Sequence, residues 1–380
     1  MKRKTYKCLL YAMLIVFSCK QSYTPPALKA NRNYLVVSGF LNSGNDSTII
    51  TLTRTRNLNS GDAQVIEGNA QLFVEGDAGY SMQLSNFGNG KYGSPNLNLL
   101  NNQNYRLKIM TSDGSNYASD FTPVKNSPTI DSISWQRSDT GISLYANTHD
   151  PLNKTQYYRW EYVETWEFHS AFESFLHFNR SDTSIFFTDT SLPHICWPTD
   201  HSNNILVASS AKLSADIIYR APLTVVEMNS EKLSVKYSII VRQYALTKEE
   251  FNYWETLQKS TEQTGTIFDQ QPTQITGNIH CITNPNQPVL GYVGAGSVTE
   301  KRIFINKDQV APWQFDELCT ESPHMNNKDT IALYIIVRHR LPTRPYYDVN
   351  NVITAYYFAY NYCVDCTTRK ATDVKPTFWP

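Results

Sequence analysis

The sequence has no excess of charge of either sign. Among its 380 residues, 34 are Lys or Arg and 34 are Asp or Glu, so the formal net charge is +0 at pH 7. Beyond the first residues neither sign is clustered, whereas nucleic-acid-binding proteins carry a basic patch or stripe. We therefore expect no nucleic-acid partner. The chain also lacks an apolar run of about twenty residues, which a membrane-spanning helix needs, so the sequence predicts a water-soluble body.

The short motifs of common catalytic sites are missing as well. There is no H-E-x-x-H, G-x-S-x-G, Walker or EF-hand loop. The Gly-rich string 291–297 lies in a segment with strand character, which favours a bulged strand over a phosphate cradle. Glu161, Glu164 and Glu167 offer carboxylates for glycoside hydrolysis, but neighbours in this set point to opposite faces of a strand. We predict a protein that is not an enzyme and has no metal or other cofactor, with a hydrolase as the open alternative.

What the sequence does have begins with a secretory signal. Basic residues at the start precede a short apolar run that ends in Val16-Phe17-Ser18-Cys19. This tetrad fits a lipobox except for the bulky Phe17, and the Cys of a lipobox receives diacylglycerol and an acyl chain such as palmitate. We predict a lipoprotein signal peptide at 1–18, lipidation of Cys19 and a polar tether at 19–33. An ordinary cleaved signal peptide is the alternative.

A lipid anchor predicts a location in the cell envelope, at the outer membrane. Some bacteria direct lipoproteins to the cell surface by acidic residues directly after the lipidated Cys. In this chain Lys20 and Gln21 occupy those positions. The choice between a periplasmic and a surface-facing protein stays open.

Residues 34–122 have the pattern of an immunoglobulin-like β-sandwich. Short apolar runs alternate with turn residues such as Asn89-Gly90, at the intervals that sandwich strands have. The segment 122–129 has two prolines and polar filling, which predicts a linker. The fold class is therefore expected to be mainly β, with at least two domains.

Residues 130–380 are expected to form a larger, fibronectin-type-like β domain with two interruptions. The first is a loop insertion at about 170–203, where Phe, His, Ser and Asp occur without clean periodicity. The second is an inserted α-helix at about 247–263. Thr247-Lys-Glu-Glu250 matches a capping box, and apolar residues follow at helical spacing.

The cysteines after Cys19 are odd in number, so at least one thiol stays unpaired if the envelope permits disulfides. They are Cys196, Cys281, Cys319, Cys363 and Cys366. Cys363 and Cys366 form a C-x-x-C after a strand-like run, and we interpret the pair as a structural disulfide or strand-end clip. A zinc site that also uses Cys281 and Cys319, a redox centre and unpaired thiols stay open as alternatives.

Aromatic residues are frequent, and one stretch concentrates them. Trp160, Tyr162 and Trp166 lie in the strand-like run 157–168 and are candidate ligand contacts, because flat rings pack on the apolar faces of sugars. The alternative is that this face of the strand belongs to the core. A second candidate site would bring together the histidines of the insertion around a metal ion. They are His169, His177, His194 and His201.

Several longer strings resemble one known family. They are Val-Arg-Gln-Tyr-Ala-Leu-Thr (241–247), the string 262–272, Thr-Gly-Asn-Ile (276–279), Pro-Val-Leu-Gly-Tyr (288–292), Cys-Val-Asp-Cys (363–366) and Lys-Pro-Thr-Phe-Trp-Pro (375–380). In this order they are similar to the domain of unknown function 4249 family of envelope lipoproteins. The sequence departs from the family at 270–272, where Gln-Gln-Pro replaces an expected Asp-Pro-Gln-Pro. The resemblance implies a Gram-negative lipoprotein, often encoded near TonB-dependent outer-membrane transporters, and assigns no catalytic residues.

These observations predict a non-enzymatic accessory or binding lipoprotein that works with a TonB-dependent transporter. Its expected partners are a membrane, reached through the lipid on Cys19, and an outer-membrane β-barrel. A glycan-binding or adhesive surface lipoprotein is the alternative.

Overall fold

The computed structural model describes residues 33–56, 65–262 and 275–380, and the structure is mainly β. The predicted signal peptide at 1–18, the lipidation site Cys19 and the tether, except for Asn33, lie outside the described residues. Three bodies follow one another, and we name them the N-terminal body, the central sandwich and the C-terminal body. None of the described helices combines the length and the apolar character that crossing a membrane requires.

Ten short strands among the described residues before position 127 form the first part of the N-terminal body. They are β1 (Leu35–Asn42), β2 (Thr48–Arg54), β3 (Val65–Ile66), β4 (Gln71–Gly76), β5 (Ser81–Gln83), β6 (Ser85–Gly88), β7 (Lys91–Ser94), β8 (Asn104–Met110), β9 (Asn116–Ser119) and β10 (Thr122–Asn126). Strand β2 pairs with β1 and β7, and β8 pairs with β4 and β9, all antiparallel. Alternate residues such as Ile50, Leu52, Leu107 and Ile109 are fully buried between these two sheets, as the period-two pattern predicts.

In the central part of the chain, the described residues form twelve strands and a helix. They are β11 (Ile130–Ser138), β12 (Gly141–His149), β13 (Tyr157–His169), β14 (Leu176–Asn179), β15 (Ser184–Phe187), β16 (Ile195–Cys196), β17 (Thr199–His201), β18 (Leu206–Ser209), β19 (Ile217–Glu227), β20 (Lys236–Ala245), α1 (Lys248–Glu262), β21 (Ile279–Cys281) and β22 (Gly294–Asn306). The sheet β11–β12–β19 faces a sheet in which β20 lies between β13 and β22, while β16, β17 and β18 line the other edge of β13. Both sheets contribute to one continuous core.

The helix confirms its prediction from sequence. Helix α1 begins at Lys248, and the Thr247 hydroxyl accepts a hydrogen bond of 3.1 Å from the Glu250 backbone N–H, as an N-cap residue does. Phe251 and Trp254 pack against a cluster that includes the buried residue Leu246.

The N-terminal body does not end at residue 122. Strand β21 pairs with β9, and the first residues of β22 run parallel to both β1 and β10. Residues 122–126 are strand β10, so the linker predicted at 122–129 is wrong over this part. A boundary read from local patterns misses a strand that returns from more than a hundred residues away, because strand pairing is not restricted to neighbours in sequence.

The C-terminal body contains β23 (Ser322–Met325), α2 (Lys328–Ala332), β24 (Arg340–Tyr347) and β25 (Ile353–Tyr360), with β25 in the middle of the sheet. Strands β14 and β15 form a hairpin that packs on this body, where Leu176 joins Ile331 and Phe358 in a small core. The predicted loop insertion at 170–203 is therefore a folded element. Its apolar residues follow no clean period because they contact a body formed by the chain's C-terminus.

Two disulfides involve the C-terminal part of the chain, and one of them links it to the insertion. Cys196 is bonded to Cys366, and Cys319 to Cys363. The C-x-x-C cysteines are thus disulfide-bonded, but each to a distant cysteine and not to the other. Cys281 is buried and free, as the odd number of cysteines required. The zinc and redox interpretations fail because Cys319, Cys363 and Cys366 are all committed to these disulfides.

The end of the chain docks on the outer face of the central sandwich. The Trp379 indole N–H donates a 3.1 Å hydrogen bond to Glu167 on β13, and its ring meets Phe304 of β22 edge to face at 5.5 Å. The Arg302 guanidinium lies 3.6 Å from the centre of the Phe378 ring. The terminal string of the sequence therefore ties the C-terminal body to the sandwich.

Candidate ligand-binding cleft

The candidate ligand contacts Trp160, Tyr162 and Trp166 lie in the core. Their side chains are 1%, 7% and 7% exposed. They occupy alternate positions of β13 that face the opposite sheet, and the Trp160 indole N–H donates a 2.9 Å hydrogen bond to the buried amide of Gln243. The prediction that these rings contact a ligand is wrong, because strand alternation places all three on the inner face.

The glutamates of β13 also have structural partners. Glu164 is buried, and its carboxylate accepts hydrogen bonds of 2.6 Å from both Lys232 and the Tyr237 hydroxyl. Glu161, on the other face, binds the Tyr244 hydroxyl at 2.8 Å. The expectation that the strand separates these carboxylates onto opposite faces is confirmed.

The histidines of the insertion do not converge. The rings of His169 and His194 lie 5.6 Å apart, but His177 binds the backbone carbonyl of Thr190 instead. Across the three described stretches of the chain, no group of three or more His, Cys, Asp or Glu side chains is placed to hold a metal ion.

A cavity lies where the N-terminal body meets helix α1. It has a volume of about 880 Å³ and is lined by segments that are far apart in sequence. These segments are residues 120–125, 154–157, 246–256 and 275–278, together with Tyr292. We call this cavity the cleft. A volume of this size falls in the range of small-molecule sites, ~300–1,000 Å³.

One wall of the cleft is aromatic. The rings of Tyr253, on α1, and Tyr292, just before β22, are tilted by 39° with centres 5.4 Å apart. Tyr157, at the start of β13, contacts Phe251 at 5.1 Å. Burial raises the pKa of both Tyr253 and Tyr292 above the ordinary tyrosine value, so their hydroxyls stay protonated at neutral pH. The wall therefore combines half-buried ring surface with neutral polar groups.

The rim of the cleft carries more free positive than free negative charge. Lys125, Lys154 and Lys248 line it, and within the described parts of the chain none of them has a carboxylate within ion-pairing distance. Of the two acidic residues in the lining, Asp120 is paired with His280 at 3.2 Å. Because His280 neutralises Asp120 only when it is protonated, the described lining sets three lysines against two carboxylates, Asp120 and Glu249, and this excess of positive charge favours an anion.

Behind the cleft, helix α1 buries a carboxyl group. Glu250 is 3% exposed, and burial raises its pKa to about 7, against a smaller lowering effect of Arg159. Its carboxyl lies against Gly294 of β22, where any side chain would collide with it. A side chain at position 294 would therefore require the Glu250 carboxyl to move.

No motif in the sequence marked the cleft, because its walls come from separate segments. One signal was available: the strings 241–247, 276–279 and 288–292, which carry the family resemblance, each contribute lining residues. Their convergence becomes visible only once the strands are paired.

One family model matches the chain, and its description is domain of unknown function (DUF4249). The match covers residues 20–302, and so includes the N-terminal body, most of the central sandwich and the cleft. The C-x-x-C cysteines and the terminal string 375–380 lie beyond the matched range. No curated protein matches the chain.

Proposed function

We propose, from the premise that this chain belongs to the DUF4249 family, that it is a lipid-anchored envelope protein and a non-enzymatic partner of an outer-membrane transporter. The proposed anchor is the lipid on Cys19, which the lipobox-like end of the signal supports, and the proposed location is the outer membrane. The partner is the class of TonB-dependent β-barrel that the family resemblance implies. One observation carries the part of the proposal that concerns a partner: the exposed apolar surface of the C-terminal body.

This surface, which we call the tip surface, lies at one end of the β23–β25–β24 sheet. It consists of Met325, Tyr346, Tyr347, Val349 and Val352, which are 72%, 48%, 46%, 100% and 56% exposed. Met325 and Tyr346 both stand opposite Ala355 on the middle strand, so they share one row across the sheet. Apolar groups gathered in this way mark interaction sites on soluble proteins, and Tyr and Met are enriched in protein interfaces.

Affinity isolation from solubilised envelope tests the partnership. Tagged full-length protein, extracted from its host in a mild detergent, is expected to retain a β-barrel protein. The double variant Met325→Asp/Val349→Asp is expected to lose the β-barrel protein. The control Val225→Asp places the same charge at a 53% exposed apolar site on the central sandwich and is expected to keep it. Isolation of the wild type without any β-barrel in several mild detergents would refute the proposal.

A second candidate function, a glycan-binding surface lipoprotein, is favoured by the lining of the cleft. Tyrosine rings together with amide, hydroxyl and charged side chains form the combination that recognises sugars, since the rings cover apolar sugar faces and the polar groups bind hydroxyls. This candidate function does not require Trp160, Tyr162 or Trp166, because these residues are buried in the core. A panel of soluble oligosaccharides, measured by calorimetry against wild-type protein and Tyr292→Ala, tests it.

A further inference from the structure

We propose that the cleft binds an acidic carbohydrate, an oligosaccharide that carries carboxylate groups. The inference rests on the second candidate function and narrows it to one ligand class. It stands on three features of the cleft: its unpaired lysines, its tyrosine wall and the paired state of the strands that border it.

The lysines give the sign of the ligand's charge. Lys125 comes from β10, Lys154 from the turn before β13 and Lys248 from the first turn of α1, so three separate elements bring cations to one cavity. Cations without partners around a concave site raise the local concentration of anions. Because Asp120 and Glu249 supply two opposing charges against three lysines among the described lining residues, a ligand with one or more carboxylates fits better than a cationic one.

The tyrosines and amides give the rest of the ligand's chemistry. Tyr157, Tyr253 and Tyr292 present ring surface, while Gln156 and Asn252 are exposed on the rim with amide groups that both donate and accept hydrogen bonds. A ring with one apolar face and several hydroxyls satisfies both kinds of group together. A small inorganic anion would use the lysines alone and leave the tyrosine wall uncovered.

Strand pairing argues against an extended acidic peptide. Peptides that bind along a sheet need an unpaired strand edge. Strand β10 is paired with β8 at Thr122 and Pro123 and with β22 from Val124 to Asn126. At the cleft end of β13, Tyr157 and Tyr158 pair with β18. Each of these residues therefore already has a strand partner on at least one edge, which limits the free backbone groups that an added peptide strand could pair with.

Calorimetry with a defined pair of sugars tests the ligand class. The probes are trigalacturonate and neutral galactotriose, titrated into the folded chain at low and at physiological salt. We expect binding of the acidic sugar to be at least about tenfold tighter than that of the neutral one, and to weaken as salt rises. Sodium sulfate at matched ionic strength, which supplies charge without a sugar ring, is expected to compete poorly.

Charge-reversal variants assign the effect to the cleft. In the triple variant Lys125→Glu/Lys154→Glu/Lys248→Glu, the affinity for the acidic sugar is expected to fall by roughly tenfold or more. The matched control Lys91→Glu/Lys307→Glu/Lys328→Glu changes the net charge equally at exposed sites elsewhere and is expected to bind as the wild type does. Tyr292→Ala is expected to weaken binding while Tyr219→Ala, at a 78% exposed site outside the cleft, leaves it unchanged.

Each other result overturns a defined part of the inference. Equal binding of both sugars, insensitive to the lysine variant, would leave glycan binding standing and refute the acidic class. Sulfate that competes as well as the acidic sugar would refute the carbohydrate part. If neither sugar binds to the wild type, the glycan-binding function itself is refuted. The proposed partnership with a transporter is tested separately, by affinity isolation, and does not depend on this result.

Discussion

The central sandwich and the C-terminal body reach the folded state by different means. The sandwich buries Tyr158, Trp160, Phe168 and many aliphatic residues between two sheets. The C-terminal body has a small core that centres on Leu176, Ile331, Tyr356 and Phe358, with one disulfide nearby, Cys319–Cys363, and a second, Cys196–Cys366, that ties the chain's C-terminal part to the core of the sandwich. A small body buries too little apolar surface to offset its conformational entropy, so covalent links supply the difference. Side-chain packing thus stabilises one region and cross-links stabilise the other.

The largest effect is expected from removal of both disulfides. In Cys196→Ala/Cys319→Ala/Cys363→Ala/Cys366→Ala, the C-terminal body should lose about 3–5 kcal/mol per disulfide, because the bonded cysteines are 170 and 44 residues apart. Hydrogen exchange should show the loss of protection in β23–β25 and in the β14–β15 hairpin.

The control for this change is Cys281→Ala, which removes the free thiol and leaves both disulfides in place. Protection of the central sandwich should persist in the disulfide-free variant. If the sandwich loses its protection together with the C-terminal body, the two regions fold as one cooperative unit, and the contrast drawn between them is wrong.

The second largest effect is expected from a substitution in the core of the central sandwich. Trp160→Ala should lower the free energy of unfolding by about 3–5 kcal/mol, since it opens a cavity and leaves the buried amide of Gln243 without its donor. Urea denaturation followed by fluorescence measures it. Tyr219→Ala, on the same sandwich but 78% exposed, should change the free energy of unfolding by less than about 0.5 kcal/mol.

A third, smaller effect concerns pH at the junction of the sandwich and the N-terminal body. Glu250 has a pKa of about 7 in the folded state and a reference value of 4.5. Between these values only the folded state holds the proton, so stability falls as pH rises through this window and is constant above it. Glu250→Gln removes the slope and should stabilise the protein by roughly 2–3 kcal/mol at pH 8, and little at pH 4.

Thermal unfolding measured at several pH values gives this slope directly. Glu249→Gln, one residue earlier and exposed, is the matched control and should keep the wild-type pH dependence. A Glu250→Gln variant that follows the wild-type curve would mean that the buried carboxyl is ionised in the folded protein.

The smallest effect comes from a buried ion pair in the sandwich. Lys232→Met leaves Glu164, whose side chain is 4% exposed, with the Tyr237 hydroxyl as its remaining hydrogen-bond donor. We expect a loss of about 1–2 kcal/mol in urea denaturation, because Lys232 is itself partly exposed. Lys236→Met, on the neighbouring strand, should have almost no effect, and an equal loss there would mean that the ion pair contributes nothing specific.

Much of the fold was predictable from local pattern. Short apolar runs between turn residues predicted strands such as β1 and β2, the strand-like run 157–168 predicted β13, and the threonine at 247 with its following glutamates located the start of α1. The sequence predicts a loop at 170–203, and the structure shows a folded hairpin there. The prediction fails because the apolar residues of this segment pack in a core whose other residues lie near the end of the chain. The boundary at 122 was misplaced for the same reason, since β22 completes a body that precedes it.

The site was less predictable than the fold. The aromatic composition of the run 157–168 predicts ligand contacts at Trp160, Tyr162 and Trp166. The structure buries these side chains, because they lie on the strand face that packs against the opposite sheet. The run itself does not show which of its faces that sheet covers. The cleft, in contrast, is lined by Lys125, Tyr253 and Tyr292, which no spacing connects.

The sequence by itself determined the β character, the start of the helix, the odd thiol and the membership of a family, because periodicity, capping and matching strings are local properties of the chain. Tertiary structure alone decided which cysteines pair, which face of β13 is buried and where the cleft lies. The physical reason is that burial and covalent pairing depend on residues brought together from distant segments, and strand β22, shared by two bodies, makes those contacts.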